Sequence, residues 1–129
     1  MNILGIDYGL KNIGLAISWG SLVESLCQIK IKTGVNLINR IKTICLQNKI
    51  NLIVLGLPKG KLALKVKNFR QKLEKSTNLP ICYQDETLTS KEAVVKMIEA
   101  GKPLLKRRKS KHMVSACLIL QSYLDHTES

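Results

Sequence analysis

The sequence predicts an α/β fold: a mixed five-stranded sheet with helices on both faces, in the order βββ-α-β-α-β-α-α. Three observations carry that reading. Apolar runs joined by short turns fill residues 2–31. The apolar period then changes from two to about 3.6. Helical segments thereafter alternate with two short, continuous apolar runs. A length of 129 residues suits one domain spanning 1–129, and 45% hydrophobic residues supply a core without disulfides or a structural metal.

Asn2 to Asp7 reads as a buried strand ending at an aspartate, and Tyr8-Gly9-Leu10-Lys11 turns the chain into a second strand, Asn12 to Ser18. After Trp19-Gly20 comes a third strand, Leu22 to Ile31. In its later part Cys27, Ile29 and Ile31 alternate with Gln28, Lys30 and Lys32, so one face is buried and the other wet. Leu37, Ile38, Ile41, Ile44 and Cys45 share a helical face that Asn48 ends. Asn51 to Gly56 is a short apolar run of the kind found in strands covered on both sides. Leu62, Val66, Phe69 and Leu73 mark a second helix, and Pro80 to Gln84 a fifth strand closed by Asp85-Glu86. A third helix starts at Thr89, which forms a capping box with Glu92, and stops at Gly101 before Pro103. From about Met113 a last helix carries Ala116, Cys117, Leu120 and Leu124 inward. Crossover helices after strands three and four make strands four and five parallel to strand one.

No stretch approaches 18 consecutive apolar residues, so no membrane span is expected. Met1 to Asp7 has no basic segment ahead of its apolar run, which makes a cytoplasmic location the expectation. Cys27, Cys45, Cys82 and Cys117 are widely spaced among apolar residues and read as buried thiols, with zinc or a disulfide as the alternative. The charge says more. Twenty-one Lys and Arg against nine Asp and Glu give +12, a field suited to a polyanionic partner. An anionic membrane surface competes for that role, yet no helix is strongly amphipathic with bulky aromatics on its apolar face. Aromatics at 4% argue against a stacking platform of the kind used by many RNA-binding sheets.

Ligands of open α/β sheets gather at the carboxyl ends of parallel strands. Asp7, Gly56-Leu57-Pro58 and Asp85-Glu86 all fall at that edge. If strands one and five lie close, Asp7 and Asp85/Glu86 converge. Two carboxylates that repel each other become favourable around a hard divalent cation such as Mg2+. Such ions activate water and stabilise the leaving oxygen in phosphoryl transfer. The plainer readings are turn chemistry for Asp7-Tyr8-Gly9 and helix-dipole charge for Asp85-Glu86. Emergence of both acids from inferred parallel strands, in a chain that spends few acids, favours the site. Gly5, Gly9 and Gly14 do not match GxGxxG, and read instead as permitting a tight turn and the close approach of a polymer backbone. Residues 102–111 hold six basic side chains in ten, as phosphate contacts or as a solvated surface.

Gly5-Ile6-Asp7-Tyr8-Gly9-Leu10-Lys11-Asn12-Ile13-Gly14-Leu15-Ala16 resembles the opening signature of the YqgF family, also called RuvX or Holliday junction resolvase-like. Gly56-Leu57-Pro58 is similar to that family's central motif, Asp85 to Ala93 to its third, and Ser115 to Leu124 to its final helix. The four motifs lie in family order over nearly the whole chain. The resemblance implies an RNase H-like fold and a Mg2+- or Mn2+-dependent nuclease maturing the 5′ end of pre-16S ribosomal RNA. Its alternatives are cleavage of branched DNA junctions and a catalytically weak or inactive RNA-binding relative. Carried over, Asp7 is a metal ligand on the first strand and Glu86, with Asp85 beside it, the acidic contribution of the fifth.

Two departures stand out. Family members commonly place an aspartate three residues ahead of the small pair on the final helix, and here that position is His112. Histidine there can ligate a metal, in which case manganese suits it better than magnesium; it can also cap the helix or contact phosphate. The segment after Pro58 is short and basic, Lys59-Gly60-Lys61, where many relatives carry a longer loop with an acid. Lys11, Lys59, Lys61, Lys106, Arg107, Arg108, Lys109 and Lys111 are the expected contacts to structured RNA, and a monomer or weak homodimer the expected state. Replacing Lys106, Arg107, Arg108 and Lys109 with alanine should weaken RNA binding across unrelated sequences. It should also lower the log–log salt slope by about 0.7 per lost phosphate contact on single strands. Titrations at several salt concentrations check this, and an unchanged slope in the folded variant makes the run a solvated surface.

Overall fold

Alternation along the first strand sorts the molecule into two unlike layers. In the computed structural model, which describes residues 1–32, 36–85 and 111–127, β1 (Asn2–Tyr8) sends Leu4 and Ile6 to one face of the sheet. Ile3, Gly5 and Asp7 go to the other. β2 (Asn12–Trp19) pairs antiparallel with β1, setting Gly5 opposite Ala16 and Asp7 opposite Gly14, while Leu4 meets Ile17 and Ile6 meets Leu15. One face of this hairpin is therefore built of large aliphatic side chains and the other mostly of glycine, alanine and serine, with Ile3 and Asp7 among them.

β3 (Leu22–Lys30) adds outside β2, antiparallel, and β4 (Leu52–Leu57) and β5 (Ile81–Asp85) add parallel on the far side of β1. The order is β3-β2-β1-β4-β5, so the expected strand directions hold and β4 separates β1 from β5. A bulge opposite Leu15/Ala16 explains why only the later part of β3 alternates in sequence. Before it Val23 faces one layer; after it Leu26, Cys27 and Ile29 face the other.

α1 (Leu37–Gln47) and α2 (Lys61–Thr77) cover the large-residue face through Ile41, Cys45, Val66, Phe69 and Leu73. Asn36 caps α1, its side chain accepting from the Asn39 N–H, and Asn48 ends it as expected. Asn78, left-handed at φ 57°, ends α2. α3 (Lys111–Thr127) lies on the small-residue face and buries Ala116, Cys117, Ile119, Leu120 and Leu124. Helices thus cover both faces. Strand β1 runs one residue past Asp7, β5 includes Asp85, and α3 starts two residues before Met113. Its first two residues, Lys111 and His112, are polar and carry no apolar period to read. The helix expected from Thr89 to Gly101, together with Glu86, Lys106, Arg107, Arg108 and Lys109, lies outside the described residues.

The cysteines need a correction. All four are thiols, but only Cys45 and Cys117 are buried; Cys27 and Cys82 are half-buried. Burial pushes the Cys45 thiol up to about 11. A thiol-reactive disulfide reagent at neutral pH should therefore titrate Cys27 and Cys82 well ahead of Cys45 and Cys117, with all four reacting after denaturation. Equal rates at the four positions would contradict the two-layer core. A second expectation concerns the small face. A Cβ on Gly14 would collide with the His112 carbonyl and the Met113 amide, both backbone, so neither can yield as a side chain does. Gly14→Ala should cost about 1–3 kcal/mol or more of stability by denaturant titration.

Candidate active site

Asp7 is the penultimate residue of β1 and only 7% exposed. Its parity turns it toward α3, where His112 sits in the first helical turn with Nδ1 2.8 Å from Asp7 Oδ2. Glycines make this approach possible. A Cβ on Gly9 would stand 2.6 Å from His112 Cε1 and 3.0 Å from Nε2, and one on Gly14 would occupy the place of the His112 carbonyl. One turn further, a Cβ on Gly5 would meet the Ala116 carbonyl oxygen at 3.0 Å. The close approach read from these glycines is real, but the backbone that approaches is the protein's own last helix and not a polymer substrate.

The contact fixes a proton. An ionised carboxylate only accepts hydrogen bonds, so at 2.8 Å the imidazole Nδ1 must carry hydrogen and donate it to Oδ2. Nε2 is then the nitrogen left for other chemistry: a lone pair when the ring is neutral, a donor when it is charged. A carboxylate has about four acceptor positions, and His112 takes one of them.

The register places Ile6 beside Leu55 and Leu55 beside Tyr83, so Asp7 is level with Gly56 and with Gln84. Val54 and Cys82 pack on the α3 side, and Gln84 donates to the Ser122 hydroxyl at 3.1 Å. Even-numbered residues of β4 and β5 therefore face α3 along with Asp7. Gly56 puts no side chain between β1 and β5, which lie two strand spacings apart, about 9.5 Å. Asp85 is exposed and shares its parity with Ile81 and Tyr83, which pack toward α2; strand alternation assigns it to the face opposite Asp7. Lys11 is exposed on the β1–β2 turn, and Lys59 and Lys61 are exposed where α2 begins, all at the same edge of the sheet. Lys111 opens α3, though its side chain is outside the described residues.

Asp7 offers a hard oxygen and His112 a nitrogen, a donor pair suited to Mn2+ and, with water completing the shell, to Mg2+. Among the described residues no group of three His, Cys, Asp or Glu side chains comes together.

The family model described as "RuvX: Holliday junction resolvase" matches residues 1–126. A relative from Clostridium kluyveri, named "Putative pre-16S rRNA nuclease", is 40% identical over 97% of each chain. One of the same name from Thermoanaerobacter pseudethanolicus is 38% identical over 97% of this chain and 96% of its own. Among solved structures, Thermus thermophilus RuvC in complex with a Holliday junction substrate superposes with a TM-score of 0.75 over 99% of this chain and 95% of its own. The fowlpox virus Holliday junction resolvase does so at 0.63 over 98% and 99%. Identities of 15% and 16% make these two likenesses of fold. With its Asp7 signature, its central glycine and its final helix in place, the chain belongs to the RuvX Holliday junction resolvase family.

Proposed function

We propose that this protein is a divalent-metal-dependent endonuclease that processes the 5′ end of precursor 16S ribosomal RNA in the cytoplasm. The observation that carries the reading is the buried Asp7 carboxylate, held at the carboxyl end of a central parallel strand beside a side-chain-free Gly56. That is where α/β sheets bind ligands, and a carboxylate kept there against its desolvation cost has a use beyond packing. The names carried by the relatives supply the substrate. The strongly positive net charge supports a nucleic acid over a small molecule.

Asp7 and Glu86 are the proposed ligands of Mg2+ or Mn2+, and Asp85 is the weaker candidate because of its strand parity. When bound, the ion supplies an activated water and charge stabilisation for a leaving oxygen. The protein's own groups do the rest. His112 orients the Asp7 carboxylate through Nδ1–H, which leaves Nε2 as the ring nitrogen that would meet a phosphate or exchange a proton. If His112 instead ligated an ion through Nε2, Asp7 would act as the hydrogen-bond partner that orients the ring and not as a ligand of that same ion. Lys11, Lys59 and Lys61 border the same edge and suit backbone phosphates.

Asp7→Asn should reduce cleavage of a 16S precursor to background in either metal while leaving RNA binding in place. His112→Ala should cost about 10–100-fold in activity or apparent metal affinity, the range for loss of a partner that orients a ligand. His112→Asp, which installs the acid usual in relatives, should lower the Mg2+ concentration for half-maximal activity. Cleavage of labelled precursor and of a four-way DNA junction, each titrated with both metals, provides the readout. Tight RNA binding without cleavage in either metal would overturn the nuclease reading in favour of an RNA-binding module, and cleavage confined to the junction would replace RNA with branched DNA.

A further inference from the structure

The end of β1 sends two neighbouring side chains to opposite faces of the sheet. Asp7 turns to α3, and Tyr8 turns to α2, where its ring packs against Phe69 with centroids 4.9 Å apart. Tyr8 and Phe69 wall a cleft of about 540 Å³ between the start of α1 and residues 65–72 of α2. Its polar rim is Asn36 from the α1 cap and Lys65, Asn68 and Lys72 from α2. These three α2 positions, spaced by three and four, form a single stripe beside the buried Val66, Phe69 and Leu73. Among the described residues no acid lines the cleft. The described ion pair on α2 belongs to Arg70 and Glu74, leaving the lysine stripe out of it. The lysines do not anchor the helix, which is held by its apolar stripe.

Two cations, two amides and an aromatic wall in one concavity form a recognisable chemistry. A volume in the roughly 300–1,000 Å³ class of small-molecule sites takes one nucleotide unit and excludes a stacked duplex. Bases are read against aromatic rings only where they are unstacked, in single strands. The cleft opens at the same carboxyl edge as Asp7, one residue along the chain.

We propose that the α1–α2 cleft is a second nucleic-acid subsite that receives a single-stranded segment of the substrate as it leaves the Asp7 edge. A base lies against the Tyr8 wall, and the flanking phosphates are held by Lys65 and Lys72. The occupant follows from the nuclease reading above; the cleft and its charge do not. Such a subsite makes the protein prefer cleavage positions with unpaired nucleotides on one side, through shape and not base identity.

The test is binding of a labelled single-stranded oligoribonucleotide, by anisotropy over a range of salt, to the full chain and three double variants. Lys65→Gln/Lys72→Gln should lower the log–log salt slope by about 1.4, two contacts at about 0.7 each. In the cleavage assay it should raise KM with kcat retained, since it removes binding and not chemistry. Lys49→Gln/Lys75→Gln removes the same charge at the opposite edge of the sheet and should leave the slope unchanged. Lys65→Arg/Lys72→Arg should keep the wild-type slope. An unchanged slope in Lys65→Gln/Lys72→Gln, or an equal fall in the distant control, overturns the subsite even if the wild type cleaves RNA normally. A wild type that fails to cleave while the Lys65/Lys72 variant still loses slope overturns the nuclease and leaves the subsite standing.

Discussion

The structure depends on bringing the backbone of α3 directly onto the β1–β2 hairpin. Helices ordinarily stand on sheets through interposed side chains, but here Gly5, Gly9 and Gly14 withhold them, and Ala16 and Ser18 offer little more. The carbonyls of His112 and Ala116, one helical turn apart, settle into that space. A helix seated on backbone has one depth and little freedom to slide, because any added methyl meets main chain. The position of the helix fixes the position of His112, and His112 fixes Asp7. The site is thus determined by residues that have no functional groups.

The opposite layer obeys a different rule. Leu4, Ile6, Ile13, Leu15 and Ile17 fill the space under α1 and α2, and this large, nonpolar contact carries much of the burial that holds the domain together. Dividing the work between faces has a chemical consequence. A carboxylate under the aliphatic layer would meet only hydrocarbon, and its ionised form would be strongly disfavoured. On the glycine-lined side Asp7 is buried too, yet a hydrogen-bond donor reaches it at 2.8 Å. The partner compensates the desolvation that the fold imposes, and it does so with a group whose second nitrogen remains chemically competent.

Much of this architecture was legible in the sequence, and the exceptions have physical causes. Strand and helix types came through because apolar period is set by backbone geometry; Cys27, Ile29 and Ile31 share a face as their alternation implied. The spatial order of strands was not written in any local pattern, so the separation of β1 from β5 by β4 had to come from the fold. Gly5, Gly9 and Gly14 were visible as close-approach positions, but a glycine reports that something comes near and not what. A paired signal was present all the same. Small residues alternating on β2, at Gly14, Ala16 and Ser18, indicate a face reserved for backbone. His112 was found by counting along a family motif; its contact with Asp7, 105 residues away in sequence, was beyond any local pattern. Asp85 falls on the face opposite Asp7 by regular alternation, because one residue along a strand exchanges one face for the other, and a pair of adjacent acids does not say which of them turns inward.

With His112 standing where the family resemblance implies an acid, the proposed site would have to work differently. Carboxylates hold a divalent cation by charge, so a site with one fewer binds the ion more weakly before substrate arrives. A phosphodiester brings its own negative oxygens and can complete the shell, provided that the chain itself holds the substrate. The net charge of +12 fits that division of labour: Lys11, Lys59 and Lys61, exposed around the Asp7 edge, would attract phosphate without needing the metal first. Metal and substrate then become coupled ligands, each raising the affinity for the other, as linkage requires of any two ligands that share contacts. On this reasoning a site poorer in acid is not simply a weaker one. At the proposed site it would shift the burden of selectivity from the ion to the nucleic acid, because the ion would be retained only where phosphates are correctly placed.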